Sequence, residues 1–178
     1  QYWNNTSLTG TPRACRDDAA VNFTWGTGAP ATGVPADNFS ARWTKTQNFD
    51  AGVYTFNAGA DDGVRLFVDG TKVIDSWILT GYLVRTANVT LTAGPHTIVM
   101  EYYEQTGDAR ATLAWTFVPT ATCPTTITGW KGEYFTNNSL TGAPTVCRDE
   151  PAINFNWAAA APVTGIPTDN FSDRFTRI

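Results

Sequence analysis

The sequence has few charged residues and no cluster of basic ones. Only 16% of its 178 residues are charged, the formal net charge is −4, and no run of Lys or Arg occurs. Because nucleic acids are bound through clustered basic side chains, we expect no nucleic-acid partner. Long apolar runs are absent as well. None reaches the length of about 18 residues that a membrane-spanning helix needs, so we expect no membrane insertion.

Histidine and cysteine are scarce. The single His96 and the widely separated Cys15, Cys123 and Cys147 lack the spacing of a zinc site. Disulfide bonds are the better interpretation of these cysteines. We favour a bond between Cys123 and Cys147, which leaves Cys15 to a cysteine outside the sequence, and the alternative left open is Cys15 with Cys123.

Aromatic residues are abundant, with 7 Trp, 6 Tyr and 10 Phe beside many Thr, Asn and Gly. This composition is typical of extracellular β-proteins and predicts an extracellular or cell-surface location. Apolar residues alternate in GVYTFNAGA, and the runs VRLFV and TKVI flank Asp69-Gly70, a pair typical of hairpin turns. No helical period extends beyond two turns. We therefore predict an all-β fold, an antiparallel β-sandwich or barrel.

The two ends of the sequence repeat each other. At an offset of 132 residues, positions 1–46 match positions 133–178 with 25 identities in 46. Cys15 then aligns with Cys147, and Trp25 aligns with Trp157. A period of this length is typical of whole domains in tandem rather than of a solenoid unit.

The repeat predicts three parts of the chain. The first is a domain at 1–117 that lacks its opening strand, whose counterpart is 129–132. A Thr- and Pro-rich linker follows at 118–129, and 130–178 is the N-terminal part of a second copy. Because a partial copy leaves strand edges open, neighbouring repeats or other chains of the same protein are the expected partners.

Two adjacent carboxylates, Asp61 and Asp62, stand between two strand-like runs. Neighbouring like charges are unfavourable unless water or a cation relieves them. A second loop, at 104–110, is expected at the same end of the fold, and it offers Gln105 and Asp108. Calcium takes six to eight oxygen ligands of this kind. The alternative is an ordinary solvated turn, since turns are rich in Asp and Gly for backbone reasons.

Several motifs resemble the protective-antigen (PA-14) domain family in order and spacing. They are GEYFTNNSLTG, INFNW, ADNFSARWT, GVYTF, ADDGVRLFVDG, VIDSW and EYYEQTGDARATLAW, which together cover 1–117 and again 130–178. The resemblance implies a β-sandwich or barrel of the kind found in bacterial and fungal adhesins, toxins and glycosidases. In lectin-type members, an Asp-Asp pair joined by a cis peptide binds Ca²⁺, which in turn binds sugar hydroxyls.

The resemblance assigns this calcium role to Asp61 and Asp62. In the second loop it implies the Gln105 side chain as a ligand, with Gly107 and Asp108 giving further oxygens. The long inserted loop that shapes the glycan pocket of fungal members is absent from this sequence.

Two functions follow as hypotheses. The first is a structural module of a secreted, tandem-repeat adhesin or extracellular filament, with a calcium site and carbohydrate binding as an added property. The second is a calcium-dependent lectin-type module attached to a secreted enzyme or adhesin. The lectin-type hypothesis takes glycans as ligands, with Trp77 and Tyr82 as the expected platform for stacking on a sugar ring, whereas a purely structural repeat predicts no measurable glycan affinity.

No catalytic function is expected. Nothing couples Asp61 or Asp62 to a second acid across a cleft, as glycoside hydrolysis requires. His96 lies in a turn pattern, apart from any Ser and Asp that would complete a triad. Trp25, Trp43 and Trp115 lie in alternating patterns and are assigned to the core.

Overall fold

The computed structural model describes residues 1–118 and 121–177, and these residues form β-strands joined by turns and loops. The chain divides into two compact units, Gln1–Phe117 (unit 1) and Val118–Ile178 (unit 2), each of which is described by itself. The strands are β1 Tyr2–Trp3, β2 Asn22–Gly26, β3 Phe39–Phe49, β4 Gly52–Asp61, β5 Gly63–Val68, β6 Thr71–Ser76, β7 Leu83–Leu91, β8 Gly94–Glu104, β9 Ala109–Val118, β10 Trp130–Phe135, β11 Val146–Glu150 and β12 Ser172–Arg177.

The described part of the chain contains no helical segment that could span a membrane.

Unit 1 is an antiparallel β-sandwich, which confirms the predicted fold class. One sheet has the strand order β1-β3-β8-β5-β6, and the other has the order β2-β9-β4-β7. The period-two pattern of β8 explains its burial, because Ile98, Met100 and Tyr102 all point to the interior and are 2%, 0% and 0% exposed. The Asp69-Gly70 pair forms the predicted hairpin turn between β5 and β6, with φ values of 49° and 77°.

The core between the sheets is built from aromatic rings. Trp43 of β3 packs within 6.2 Å of Tyr102 of β8, and Phe56 of β4 packs within 5.8 Å of Trp115 of β9, measured between ring centroids. Trp25 stacks on the same cluster. Phe56 and Tyr102 are fully buried, and each such side chain contributes about 1.5–3 kcal/mol to folding, whereas the tryptophans that pack against them are partly buried.

The chain crosses from one sheet to the other without a loop. β4 ends at Asp61 in the four-stranded sheet, and β5 begins at Gly63 in the five-stranded sheet. At the crossing the side chain of Tyr103, on the neighbouring β8, covers Gly63 so closely that a Cβ atom there would lie 2.1 Å from its Cε1. Only glycine fits at this point.

Unit 2 contains a three-stranded antiparallel sheet with the order β11-β10-β12. Cys123 and Cys147 form a disulfide bond, which is the pairing favoured from the sequence. The segment before β10 is held to β11, since the backbone N–H groups of Thr128 and Gly129 donate hydrogen bonds to Asp149 at 2.9 Å each. Of the predicted linker, residues 119 and 120 lie outside the described residues, as does residue 178 of the predicted second copy.

Replacing Gly63 by alanine tests the crossing. We expect Gly63→Ala to lower the free energy of unfolding by about 1–3 kcal/mol, because the added methyl group overlaps the buried ring of Tyr103. Chemical denaturation measures the change. Gly81→Ala is the matched control, since no atom lies within 4 Å of a Cβ at that position. Equal stability of the two variants would contradict the packing described.

Candidate metal site

The pairing of β5 with β8 brings the two predicted loops together. Gly63 lies opposite Tyr103 in the ladder, so Asp62 lies beside the end of β8. The backbone N–H of Asp62 donates to the carbonyl oxygen of Tyr103 at 3.3 Å. The backbone N–H of Gln105 in turn donates to Oδ2 of Asp62 at 2.9 Å. The acidic pair and the loop that follows β8 therefore form one site at one end of the sandwich.

Three carboxylates converge in this site. Ligand atoms of Asp61, Asp62 and Glu104 all lie within 4.8 Å of one another, and the peptide bond between Asp61 and Asp62 is cis. Glu104 was not among the sequence-predicted ligands. The signal that could have found it is the parity of β8, because Glu104 falls on the interior face with Met100 and Tyr102. An acid in a core-facing position needs a partner.

Glu104 is completely buried and only partly satisfied. Its Oε2 lies 3.3 Å from the hydroxyl group of Tyr102, which also contacts the carbonyl oxygen of Asp61. Its Oε1 is the one buried side-chain oxygen or nitrogen among the described residues that lacks a hydrogen-bond partner. Burial, followed by the nearby charges of Asp62 and Asp61, raises the pKa of Glu104 to about 8.

The charge of Asp61 is similarly disfavoured. Burial and the adjacent Asp62 raise the pKa of its carboxyl group, and Asp108 adds to this effect. A hydrogen bond from the backbone N–H of Tyr82 opposes the increase. Within the part of the chain that the structure describes, no cationic side chain forms an ion pair with Asp61, Asp62 or Glu104, so negative charge on these acids is not neutralised there.

The segment between β6 and β7 closes one side of the site. Its backbone N–H at Thr80 donates to Oδ1 of Asp62 at 3.0 Å. Large apolar side chains on and beside this segment are exposed to solvent: Ile78 (53%), Leu79 (60%), Leu83 (47%) and Val84 (45%). An acidic site therefore has an apolar rim beside it.

The two predicted stacking residues lie in this segment, but each ring has a face that is already covered. The guanidinium carbon of Arg65 lies 3.9 Å from the ring centroid of Trp77, and that of Arg110 lies 3.9 Å from the ring centroid of Tyr82. The hydroxyl group of Tyr82 also shares a 2.9 Å hydrogen bond with Thr112. These rings can offer at most one face to a ligand.

The second predicted loop lies around the carboxylates. Gln105 contributes its backbone N–H to Asp62, and its carbonyl oxygen accepts a 3.0 Å hydrogen bond from the backbone N–H of Asn38. Gly107 donates its N–H to Oδ1 of Asp37 at 3.2 Å. Asp108 lies outside the three-carboxylate group. Asp37, which the sequence did not single out, therefore positions this loop.

Family membership follows from comparison with known proteins. The sequence model of the PA14 domain matches residues 1–123. The chain belongs to the PA14 domain family. This assignment confirms the resemblance noted in the sequence, and the tandem repeat remains a prediction.

The chain is also similar to proteins named as anti-sigma factors. It is 31% identical, over 192 residues, to the anti-sigma-I factor RsgI3 of Acetivibrio thermocellus, which covers 98% of this chain and 30% of that protein. A solved anti-sigma factor domain-containing protein superposes with a TM-score of 0.62 at 30% identity, covering 98% of this chain and 65% of that one. Another, from Clostridium clariflavum, has a TM-score of 0.59 at 29% identity, covering 99% of this chain and 67% of that one.

These relatives correct one prediction. The extracellular or cell-surface location inferred from composition is wrong, because relatives that match nearly the whole PA14 chain are named for action on a sigma factor. The reason is that a Thr-rich, weakly charged composition is a property of the domain's own surface. It carries no information on the protein to which the domain is attached. The chain spans 30% of the length of RsgI3.

Replacing Glu104 by glutamine tests whether its carboxylate is destabilising in calcium-free buffer. A raised pKa means that the folded protein binds the proton more tightly than the unfolded one, so stability falls as pH rises from about 4.5 towards about 8. We expect Glu104→Gln to remove this fall and to raise the free energy of unfolding by about 1–3 kcal/mol at pH 9. Denaturation at pH 6 and pH 9 measures it.

The control for this measurement is Glu101→Gln on the same strand. Glu101 accepts ion pairs from Arg42 at 2.6 Å and Arg65 at 2.7 Å, so its replacement should lower stability. A loss of stability in both variants would show that Glu104 is satisfied in the folded protein.

Proposed function

We propose that unit 1 is a calcium-dependent carbohydrate-binding domain within a regulatory protein of the anti-sigma factor kind. The observation that carries the proposal is the convergence of Asp61, Asp62 and Glu104 within 4.8 Å, with a buried oxygen of Glu104 left without a partner. A stability role alone does not account for this arrangement, because three uncompensated acids in a half-buried site destabilise the fold that contains them.

The donor set suits a hard divalent cation. All three side chains offer carboxylate oxygens, and among the described residues neither His nor Cys belongs to the group. Oxygen ligands without nitrogen or sulfur favour calcium or magnesium over zinc and copper. Calcium accepts six to eight oxygens in irregular geometry, which suits a site with carboxylates on one side and loop carbonyls on the other. Asp61, Asp62 and Glu104 would hold the ion, and the 105–108 loop would supply further oxygens.

Two features support a carbohydrate as the ligand of this site. The PA14 family resemblance implies sugar binding through such an ion, which when bound would offer coordination positions to vicinal hydroxyl groups. The exposed side chains of Ile78 and Leu79 lie on the segment that closes the site, where they can contact the apolar face of a sugar ring.

The segment between β6 and β7 would couple calcium binding to sugar binding. Thr80 and Tyr82 donate backbone hydrogen bonds to Asp62 and Asp61, so the position of the apolar rim depends on the acidic pair. An ion that orients these carboxylates would fix the segment that contacts the sugar. We expect sugar binding to require calcium, and calcium to bind without sugar but to bind more tightly when sugar is present, because the coupling between two ligands is reciprocal.

Within the longer protein, we propose that this domain supplies ligand recognition and that other parts act on the sigma factor. The similarity to RsgI3 supports this division, since the chain corresponds to only 30% of that protein. No catalytic role is proposed for the domain. Any partners among neighbouring repeats remain a separate prediction.

Calorimetric titration with calcium tests the metal site. We expect one calcium per chain, and about tenfold or greater loss of affinity in Asp62→Asn and in Glu104→Gln, because each removes a charged ligand from the site. Asp75→Asn is the matched control, as this acid is exposed and pairs with Lys72 outside the site. Wild-type affinity in Glu104→Gln, or an equal loss in Asp75→Asn, would contradict the proposed ligand set.

Sugar titrations in the presence and absence of calcium test the ligand class. We expect binding of at least one member of a glycan panel only when calcium is present, and about tenfold weaker binding in Leu79→Asn with unchanged calcium affinity. Calcium binding without any sugar binding would instead support a structural ion that only rigidifies the domain. The covered ring faces of Trp77 and Tyr82 favour that second candidate.

A further inference from the structure

One side of the sandwich lies between the edge strands of its two sheets. β6 is the last strand of the five-stranded sheet, and β7 is the last strand of the four-stranded sheet. At one end of this side, the guanidinium group of Arg85 on β7 donates a 3.0 Å hydrogen bond to the hydroxyl group of Ser76 on β6. At the other end, the side chain of His96 connects the turn before β6 to the turn after β7.

A cavity of about 370 Å³ opens beside His96. One wall is formed by β5 and β6, with Val68 and Val73, and the other is formed by β7, with Val89 and Leu91. Val68 and Leu91 are 3% and 4% exposed and belong to the core of the sandwich. The contacts that hold the two turns together at this end therefore limit access to the core.

The fold places His96 at the edge of the apolar interior. It lies on β8, opposite Gln47 of β3 in the ladder. Side chains alternate along a strand, so His96 faces the same way as Ile98 and Met100, which are buried. Its own side chain is 11% exposed. A polar ring that is covered to this extent needs hydrogen-bond partners within the protein.

Both ring nitrogens of His96 meet oxygen atoms. Nδ1 lies 2.5 Å from Oδ2 of Asp69, in the turn between β5 and β6. Nε2 lies 3.0 Å from the backbone carbonyl oxygen of Thr92, in the turn between β7 and β8. A carboxylate and a carbonyl group accept hydrogen bonds but do not donate them. Both contacts are hydrogen bonds only when both nitrogens carry a proton, so this geometry requires the imidazolium form.

The Asp69 end of this link is fixed by the backbone. Oδ1 of Asp69 accepts a hydrogen bond from the N–H of Thr97 at 2.9 Å, and the N–H of Asp69 donates to the carbonyl oxygen of Thr97 at 2.9 Å. These two contacts hold the β5–β6 turn to β8 in either charge state of His96. The turn that depends on the proton is therefore the other one, between β7 and β8.

Loss of one proton from the ring breaks the contact with Thr92. The remaining proton stays on Nδ1, because the charged carboxylate of Asp69 is a stronger acceptor than a carbonyl group. Nε2 then presents a lone pair to the carbonyl oxygen of Thr92, and the two repel each other. The hydroxyl group of Thr92, 3.3 Å from Nε2, can donate to the neutral ring, but the carbonyl group loses its hydrogen bond.

The surroundings of the ring favour its charged form. Asp69 is the charged group that faces it. The other residues packed against it are uncharged: Gln47 and Phe49 of β3, and Thr92. The lysines of the neighbouring strands make other contacts: Lys72 of β6 with Asp75, and Lys45 of β3 with Trp115. The hydrogen bond to Asp69, followed by that to Thr92, raises the pKa of His96 above its ordinary value of 6.5.

We propose that His96 is a proton-dependent clasp, which holds the β7–β8 turn to the β5–β6 turn when the ring is protonated and releases it when the ring is neutral. Release opens the cavity that leads to Val68 and Leu91. His96 and Glu104 stand near opposite ends of β8, so the clasp lies at the end of the sandwich away from the metal site. The clasp does not depend on ligand binding there.

The titration of the ring is the first test. His96 is the only histidine of the 178-residue chain, so its ring signals in a nuclear magnetic resonance spectrum are unambiguous. We expect a midpoint above 6.5 in the wild-type chain and a lower midpoint in Asp69→Asn. Asparagine is tolerated at the φ of 49° found here and keeps an acceptor oxygen for Thr97. A wild-type midpoint at or below 6.5, or equal midpoints in the two chains, would overturn the proposal.

Amide hydrogen exchange shows whether the proton holds the turn. A raised pKa means that the contribution of the clasp is complete below 6.5 and is lost as pH rises through the pKa of the folded protein. We expect the protection of the amides at 89–94, relative to the intrinsic exchange rate at each pH, to fall about threefold to tenfold across the ring titration. In His96→Gln it should be low at every pH. Wild-type protection that does not follow the titration overturns the proposal.

Asp75→Asn is the matched control for both measurements. This acid lies on the same hairpin but pairs with Lys72, so its replacement should leave the ring titration and the protection unchanged. An equal effect in Asp75→Asn would identify a general effect of charge and would contradict the clasp. Local exchange is measured because the titration of Glu104, with a pKa of about 8, also changes global stability. Should His96→Gln fail to fold, the wild-type and Asp69→Asn chains still decide the question.

Discussion

The crossing between the two sheets at Asp61–Gly63 is the constraint on which the candidate site depends. β4 and β5 belong to different sheets and are separated by a single residue, Asp62. Since no loop intervenes, the carboxylates at the crossing cannot move out to solvent as those of an ordinary turn can. They are held between Gln105 on one side and the β6–β7 segment on the other, each contributing a backbone N–H to Asp62. Backbone geometry thus concentrates negative charge where the interior of the sandwich begins.

β8 carries two acids, Glu101 and Glu104, that differ in whether cationic side chains neutralise them. Glu101 faces outward, yet Arg42 and Arg65 clamp both of its oxygens, and such an acid belongs to the scaffold. Glu104 faces inward, meets two further carboxylates and keeps one oxygen unpaired. A fold selected for stability alone would place an apolar residue at that position, next to Tyr102. Burying a carboxylate at this position destabilises the fold, and a bound cation would offset that destabilisation.

Sequence alone determined the all-β sandwich and the Asp69-Gly70 hairpin, and it singled out the adjacent Asp61 and Asp62, because period-two alternation, turn chemistry and neighbouring like charges are all local properties. It could not find Glu104 by motif, since the residue becomes significant only when β8 pairs with β5 and places it against carboxylates more than 40 positions away. It could not show that arginines from other strands cover one face of Trp77 and of Tyr82, and a sugar platform at these rings stays a prediction. The location predicted from composition was wrong because composition reports only the surface of one domain. Which side chains that surface brings together was decided only by the tertiary structure, because it depends on long-range strand pairing.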